Sequence, residues 1–275
     1  MMNSCLFSVS YAGFWGQAVL SLEDLIKRAG GLGYSSVMLM GKRPHLSPLD
    51  TSPERIAILK AALQASGLRC DVLAAYTDIF PNGPSGVPFT EMQIAHVESL
   101  ARIGTGLGVK VVRIFSAYDS DHRDIQASWQ HVVVAIREMC DRVAAHGLTI
   151  AIQNHHDTVL DTDSLLGLLG EIDRPNCKLG FDAWSPALRG EDLYESARKA
   201  APHTAITTTA DYAKVPRFRY NPALVNYERQ PLDWVRAVTF GTGFTVTGGG
   251  SIENLDRKAR GYLEWMAARR LIPAQ

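Results

Sequence analysis

This 275-residue sequence lacks the features that would assign it to a membrane, a secretory route or a nucleic acid. No stretch approaches the roughly 20 consecutive apolar residues that a membrane-spanning helix needs. The first ten residues, MMNSCLFSVS, contain neither the basic nor the long apolar segment of a secretory leader. The 28 basic and 28 acidic side chains balance, so no broad basic face is expected to neutralise phosphates. We therefore expect a soluble, cytoplasmic protein without membrane or nucleic-acid partners.

The sequence also has few cysteines and no dinucleotide-binding glycine motif. Its four cysteines are scattered, without Cys-x-x-Cys spacing, and they lie in apolar surroundings. We expect them to be small buried thiols in a reducing compartment. The pattern G-x-G-x-x-G is missing, and the run Gly248–Gly250 does not lie between a strand and a phosphate-binding helix. These absences argue against a Rossmann-type cofactor site.

What the sequence does contain is a repeating unit in which a helical segment ends at a glycine and a short β-branched run follows. A left-handed residue after a helix is the usual C-cap, and apolar runs with few polar breaks indicate strands buried on both faces. The residues predicted to end these helices are Gly33, Gly67, Gly108 and Gly147, with Asn176 in the same place in a fifth unit.

Helix starts are also recognisable. Ser21 and Thr90 are predicted N-caps, because each is followed by a polar partner at the third helical position. Pro53, after Ser52, is predicted at the first position of a helix, where its missing N–H costs nothing.

Seven strands are predicted, and an eighth is not obvious. Strands that alternate with helices form a parallel sheet covered by those helices, and such a sheet is either open or closed. The even spacing and the missing glycine motif favour the closed form. The predicted fold is α/β, a (β/α)8 TIM barrel in one domain over residues 1–275, with an atypical or missing eighth strand. The predicted strands cover residues 5–10, 36–40, 70–75, 110–115, 148–154, 177–182 and 204–209.

In a barrel of this kind, the chemistry lies at the C-terminal ends of the strands. Polar and aromatic residues gather there in this sequence, whereas the strand bodies are apolar. Aromatic faces beside hydrogen-bonding groups suit a polyol, because its C–H faces stack and its hydroxyls form hydrogen bonds. We therefore expect a small-molecule sugar or polyol to bind at this end.

Four segments carry a resemblance to the sugar phosphate isomerase/epimerase group of xylose-isomerase-like TIM barrels, and the resemblance covers nearly the whole chain. In that family, two Glu, one Asp and one His hold a divalent metal that polarises a carbonyl and its neighbouring hydroxyl. The glutamates also move a proton between adjacent carbons. The resemblance thus implies proton transfer beside a carbonyl. The segments are MLMGKRPHLSPLD, IAIQNHHD, KLGFDAWSPAL and TTTADY.

The sequence matches the family pattern only in part. Asn154 and His155 match the fifth-strand motif, and Asp182 matches the metal ligand of the sixth strand. Gln153, however, stands where the first metal-binding Glu belongs, and Thr208 replaces a His of the seventh strand.

The end of the chain departs further, because roughly 30 residues, about one strand-and-helix unit, are missing together with the eighth-strand Glu. Residues 239–247 must therefore either supply a makeshift eighth strand or leave an open seam. An open seam exposes edge N–H and C=O groups and would favour a homo-oligomer.

These departures bear on the metal. A hard divalent cation prefers several anionic oxygens, whereas Gln153 offers a neutral amide and Asp182 a single carboxylate. The sequence predicts at most one weakly held divalent metal (Mn, Zn or Mg) at Gln153 and Asp182, or none. By strand alternation, His155 points into the barrel beside them.

The catalytic residues implied by this set are Asp182 and His155, acting as acid or base. An arginine is costly to bury without a partner, so Arg113 is expected to have a role. Arg113 or Lys214 would stabilise an enediolate. The predicted substrate-binding residues are His45, Arg113, Asn154, Trp184 and Lys214.

Three functions are compatible with this reading. The first is an isomerase or epimerase of a sugar, sugar phosphate or inosose-like compound, with a degenerate metal site. The second is a non-catalytic polyol-binding barrel that has lost the metal and the acid/base pair. The third, an endonuclease on the same fold, is disfavoured by the neutral charge and by Thr208.

Overall fold

Short aliphatic and β-branched runs form seven strands that pair in chain order, each parallel to the one before it. In-order parallel pairing with covering helices is the arrangement of a (β/α) barrel, which confirms the predicted fold class. The strands are β1 Cys5–Phe7, β2 Ser36–Met40, β3 Arg69–Ala74, β4 Val111–Ile114, β5 Thr149–Gln153, β6 Cys177–Asp182 and β7 Thr204–Lys214.

The computed structural model describes residues 2–14, 17–79, 86–117, 125–154, 158–159, 161–214, 218–229, 234–241, 245–246 and 251–273. Within these ranges, the side chains of residues 184, 188, 209–214, 218–219, 234–241 and 245–246 lie outside the description.

Helices follow most strands, and several begin and end where the sequence predicts. Ser21 Oγ accepts a hydrogen bond from Asp24 N at 3.1 Å, and Ser52 Oγ accepts one from Arg55 N at 3.2 Å. The four predicted glycines all have positive φ. The helices are α1 Leu22–Leu32, α2 Pro53–Ala65, α3 Phe89–Leu107, α4 Ile125–Ala144, α5 Thr162–Ile172, α6 Trp184–Arg189, α7 Leu193–Ala200 and α8 Ile252–Ala268.

Two predicted helix boundaries are wrong. Thr90 lies inside α3, which begins after Pro88, and its hydroxyl donates to Ile79 O at 3.3 Å instead of capping the helix. The left-handed residue after α5 is Asp173, with φ 47°, rather than Asn176. Asn176 instead donates through Nδ2 to the carbonyls of Cys140 in α4 and Leu148 just before β5.

The first predicted strand is too long. β1 ends at Phe7, and residues Ser8–Tyr11 form a 3₁₀ turn. Ser8 explains the early end, because its hydroxyl accepts a hydrogen bond from Met40 N at 2.8 Å. The Ser8 hydroxyl thereby takes the place of the backbone carbonyl that a longer β1 would offer to Met40 N.

An antiparallel strand occupies the place of the eighth parallel strand. β7 is longer than predicted and is followed by a hairpin of β8 (Phe218–Asn221) and β9 (Asn226–Arg229). β10 (Trp234–Gly241) then returns antiparallel to β7, and β11 (Thr245–Val246) pairs with β10. β11 lies beside the 3₁₀ turn after β1. No ladder joins β11 to β1 in the described part of the chain.

The closing helix is fastened to the first unit of the barrel by side chains. Tyr11 Oη donates to Asp256 Oδ1 at 2.8 Å, and Arg28 forms an ion pair with the same carboxylate. Tyr34 Oη donates to Ala259 O at 3.1 Å. α8 therefore packs against α1 and the 3₁₀ turn after β1, although the expected eighth parallel strand is missing from the described residues.

Apolar side chains pack on both sides of the sheet. The larger cluster lies between the strands and the helices, and a smaller one fills the inside of the barrel. All four cysteines are buried as thiols, as predicted. Among the described helices, none is long and apolar enough to cross a bilayer. The inner cluster consists of Cys5, Phe7, Val9, Ala12, Met38, Met40, Val72, Ala74, Ala151 and Ile206.

Candidate functional site

Strand register brings four polar residues to the inner face at the C-terminal end of the barrel. Ala151 and Ile206 belong to the inner cluster. Side chains alternate along a strand, so Gln153 and Thr208, two residues further on, share that face. Asp182 is paired with Thr208, and Arg113 with Ala151, in the parallel ladders. The predicted residues Arg113, Gln153 and Asp182 are thus on one face.

Gln153 and Asp182 are in direct contact. Gln153 Nε2 donates to Asp182 Oδ2 at 2.8 Å, and the two residues are only 5% and 2% exposed. A carboxylate oxygen can only accept, so the amide must present its NH₂ group to Asp182. This hydrogen bond fixes the orientation of a buried carboxylate at the barrel mouth.

The side chain of Asn154 forms hydrogen bonds with both the C=O and the N–H group of Asp182. Its Nδ2 donates to Asp182 O at 2.9 Å, and its Oδ1 accepts from Asp182 N at 2.7 Å. Ser185 Oγ in turn donates to Asn154 O at 3.2 Å. The side chain of Asn154 is fully buried, so these bonds extend the ladder between β5 and β6 beyond the last strand residues.

Arg113, two strands from Asp182, is also buried, with 1% of its surface exposed. Its guanidinium carbon lies 4.2 Å from the ring centre of Phe115, 4.6 Å from that of Tyr76 and 5.6 Å from that of Phe7. Cation–π attraction of this kind offsets part of the cost of burying the charge.

Lys42, which the sequence did not single out, lies beside the same group. Its Nζ is 4.2 Å from the ring centre of Tyr76 and 5.0 Å from that of Phe14. Burial, and then the charge of Arg113, hold the pKa of Lys42 below its ordinary value. The available signal was its place directly after Gly41 at the end of β2, among the strand-end residues.

The side chain of His45 is engaged within the protein. Nδ1 lies 3.0 Å from Ser8 Oγ, and Nε2 lies 3.3 Å from Leu20 O. A carbonyl only accepts, so Nε2 carries the proton and Nδ1 accepts from the serine hydroxyl. Burial lowers the pKa of His45, which favours this neutral form. Its predicted contact with a substrate stays a prediction.

Three predicted site residues are described in part or not at all. His155 lies outside the described residues. Trp184 begins α6 directly after β6, and Lys214 is the last residue of β7. Both backbones are therefore placed at the same end of the barrel, while their side chains lie outside the description.

The described residues do not fit a tightly held divalent metal. They contain no group of three or more His, Cys, Asp or Glu side chains that could hold one. Gln153 moreover turns an N–H donor, not an oxygen ligand, toward Asp182. One carboxylate and one amide in this geometry form a poor cage for a hard cation.

The chain is similar to known proteins of one family. Residues 26–262 match the family model described as xylose isomerase-like TIM barrel. A curated relative, 3-dehydroshikimate dehydratase from Bacillus anthracis, is 25% identical over 206 residues, which cover 72% of this chain and 70% of the relative.

Two solved structures illustrate the likeness of fold. D-psicose 3-epimerase with D-tagatose from Clostridium cellulolyticum H10 is 17% identical, with a TM-score of 0.69 over 96% of this chain and 98% of that one. A xylose isomerase-like barrel from Mycobacterium smegmatis in complex with magnesium is 13% identical, with a TM-score of 0.64 over 98% of each chain. At these identities the likeness establishes the fold alone.

Proposed function

This chain belongs to the xylose isomerase-like TIM barrel family, and we propose that it is an enzyme that moves a proton next to the carbonyl group of a small polyhydroxylated compound. The proposed reaction is that of an isomerase or epimerase of sugar-type substrates. The observation that carries the proposal is the buried carboxylate of Asp182, oriented by Gln153 and Asn154 at the end of the barrel where substrates bind.

Asp182 is the proposed general base. Its carboxylate takes a proton from a carbon beside the substrate carbonyl, and the C–H electron pair becomes the double bond of an enediolate. The carbonyl oxygen receives the negative charge. Gln153 keeps Oδ2 in place, and the two bonds from Asn154 keep the backbone of Asp182 from shifting.

Arg113 is the proposed partner of the developing negative charge. It is on β4, two strands from Asp182 on β6. Neighbouring strands lie about 4.8 Å apart, so the backbones of the two residues are on the order of 10 Å apart. We place the carbonyl oxygen of the substrate toward the guanidinium, whose fixed donors stabilise an oxyanion.

Return of the proton decides the product. Return to the opposite face of the same carbon inverts it. Return to the former carbonyl carbon isomerises the substrate, provided that the hydroxyl proton of the first carbon passes to the former carbonyl oxygen. We assign this second step to His155 by its place two residues after Gln153. Trp184, Lys214 and His45 complete the proposed contacts to the substrate. A divalent metal, if one binds, is weakly held.

A dehydratase is the second candidate. The 25% identical relative from Bacillus anthracis bears the name 3-dehydroshikimate dehydratase. Elimination of a β-hydroxyl begins with the same removal of a proton beside a carbonyl, so Asp182 and Arg113 serve both reactions. The two candidates differ only in whether the enediolate is protonated again or expels hydroxide, which takes a proton and leaves as water.

Exchange of substrate protons with solvent tests the proposal. The protein, stripped with EDTA and assayed with and without Mn²⁺, is incubated in D₂O with ketoses, inosose-like compounds and 3-dehydroshikimate. NMR should show loss of one carbon-bound proton signal in at least one compound, and Asp182→Asn should abolish it. If no deuterium enters any compound, the non-catalytic polyol-binding barrel is the correct reading.

A further inference from the structure

We propose that Lys42 and Arg113 form a subsite for an anionic group on the substrate, a carboxylate or a phosphate, next to the ring of Tyr76. This inference rests on the proposed function, because it assigns a substrate class to the same barrel mouth. It makes Lys42 a residue that determines specificity.

Two cations share one aromatic ring in this part of the mouth. Lys42 Nζ and Arg113 Cζ lie 4.2 Å and 4.6 Å from the centre of the Tyr76 ring. The ring attracts both charges, but the two cations repel each other. An arrangement that brings like charges together in a half-buried place is stabilised when an anion binds beside them.

No carboxylate in the described part of the chain forms an ion pair with Lys42. Most lysines and arginines in ion pairs of this protein are on the outer surface, for example Arg43 with Asp50 and Lys199 with Asp163. Lys42 differs from them because it faces aromatic rings and a second cation. An anionic ligand is the counter-charge that we propose for it.

The backbone of Tyr76 supports the same reading. Tyr76 follows β3 and has φ 54°, a left-handed conformation that is uncommon for a bulky residue. Such a conformation is strained in a residue with a side chain and persists where the surroundings require it. Here it places the ring between the ends of β2 and β4, where it contacts both cations.

The cationic and the acidic side chains lie on different parts of the barrel mouth, which suggests how a substrate would be oriented. The cations and aromatic rings lie in or just after β1–β4, whereas the amides and the carboxylate lie in or just after β5 and β6. A substrate whose anionic group lies at Lys42 and Arg113 would turn its hydroxylated carbons toward Asp182. The guanidinium has five N–H donors, so it can contact both the anionic group and the carbonyl oxygen.

Matched ligand pairs test this subsite independently of turnover. Calorimetric dissociation constants are measured for shikimate against its methyl ester, and for D-fructose 6-phosphate against D-fructose. We expect at least one anionic member to bind about tenfold or more tightly than its neutral partner. The pair that shows the preference distinguishes a carboxylate from a phosphate. Equal affinities within both pairs would overturn the proposal.

Variants assign the preference to Lys42. Lys42→Met should remove most of the difference within the preferred pair, while Lys42→Arg and the exposed control Lys60→Met should keep it. A Lys42→Met variant that folds, by its melting curve, and keeps the full preference would also overturn the proposal. If Lys42→Met does not fold, salt provides the test in the wild-type protein. Its preference for the anionic ligand should weaken as salt is raised. A preference that does not change with salt would overturn the proposal.

The two proposals can fail separately. An anion preference without proton exchange in any compound would leave the subsite in place and overturn the enzymatic proposal. Proton exchange confined to neutral polyols, without an anion preference, would overturn the subsite and leave the enzyme.

Discussion

Gln153 donates a hydrogen bond to Asp182 at 2.8 Å, so an amide takes the position from which a second carboxylate would repel the first. Two buried carboxylates at this distance cannot both be charged without a cation between them. Because the Gln153 amide is neutral, it can lie against the buried Asp182 carboxylate without a cation between them. Residue 153 is therefore the position at which the need of this mouth for a metal can be tested.

Gln153→Glu should make the protein dependent on a cation. We expect the variant to be less stable than wild type in EDTA at neutral pH, because one of two adjacent carboxylates must be protonated or desolvated. Mn²⁺ should restore its melting temperature, whereas the same addition to wild type should shift the melting temperature little. Equal shifts in both proteins would show that the wild-type site already holds the metal.

Asp182→Asn should remove the proposed base and little else. Loss of a general base typically costs 10²–10⁴-fold in rate, so proton exchange should fall by about that factor. In that variant the amide of Gln153 can turn its oxygen toward the new side-chain NH₂ group, which keeps the buried contact satisfied. Ligand binding, measured by calorimetry, should change less than tenfold. The matched control is Asp141→Asn, on the protein surface, which should retain the wild-type rate.

Asn154→Ala tests whether residue 154 positions Asp182. The variant leaves the buried N–H and C=O groups of Asp182 without their partners, which should cost about 2–4 kcal/mol in urea unfolding. We also expect a lower kcat with a nearly unchanged KM, because the carboxylate is displaced while the substrate contacts remain. A raised KM at full kcat would instead indicate that Asn154 contacts the substrate.

The parts predicted from sequence are those that local chemistry determines. β2 and β6 were placed to the residue because their apolar runs are bounded by turns, and Ser21 and Ser52 cap the helices that they precede. Lys42 could not be recognised in the same way. Its significance depends on Tyr76 and Arg113, which come from two other strands and meet it only in the folded barrel.

The errors have physical causes of the same kind. Ser8 ends β1 by bonding to Met40 N on the neighbouring strand, which no pattern within residues 5–10 could reveal. α5 ends at Ile172, so Asp173 takes the left-handed position, and Asn176 bonds two carbonyls of other elements. Likewise, the antiparallel return of β10 depends on pairing with a lengthened β7.

His45 predicts how stability depends on pH. Burial holds its pKa below the ordinary value of about 6.5. As the pH falls through that value, the unfolded chain takes up a proton that the folded chain refuses, so the free energy of unfolding should fall. Below the folded pKa the loss is complete. His45→Gln should have a shallower decline between pH 7 and 5 than wild type, whereas the exposed control His203→Gln should not.

The ends of the sheet predict association between copies of the chain. The strand order begins at β1 and ends at the two-residue β11, and no ladder joins them in the described residues. Edges with available N–H and C=O groups pair with other chains, and a charged side chain at an edge opposes such pairing. We expect sedimentation equilibrium to detect a dimer, and Val246→Lys to weaken it. Val134→Lys, at an exposed position of α4, should not. A monomer at every concentration, with one cooperative thermal transition, would mean that β11 and the 3₁₀ turn after β1 already cover the seam.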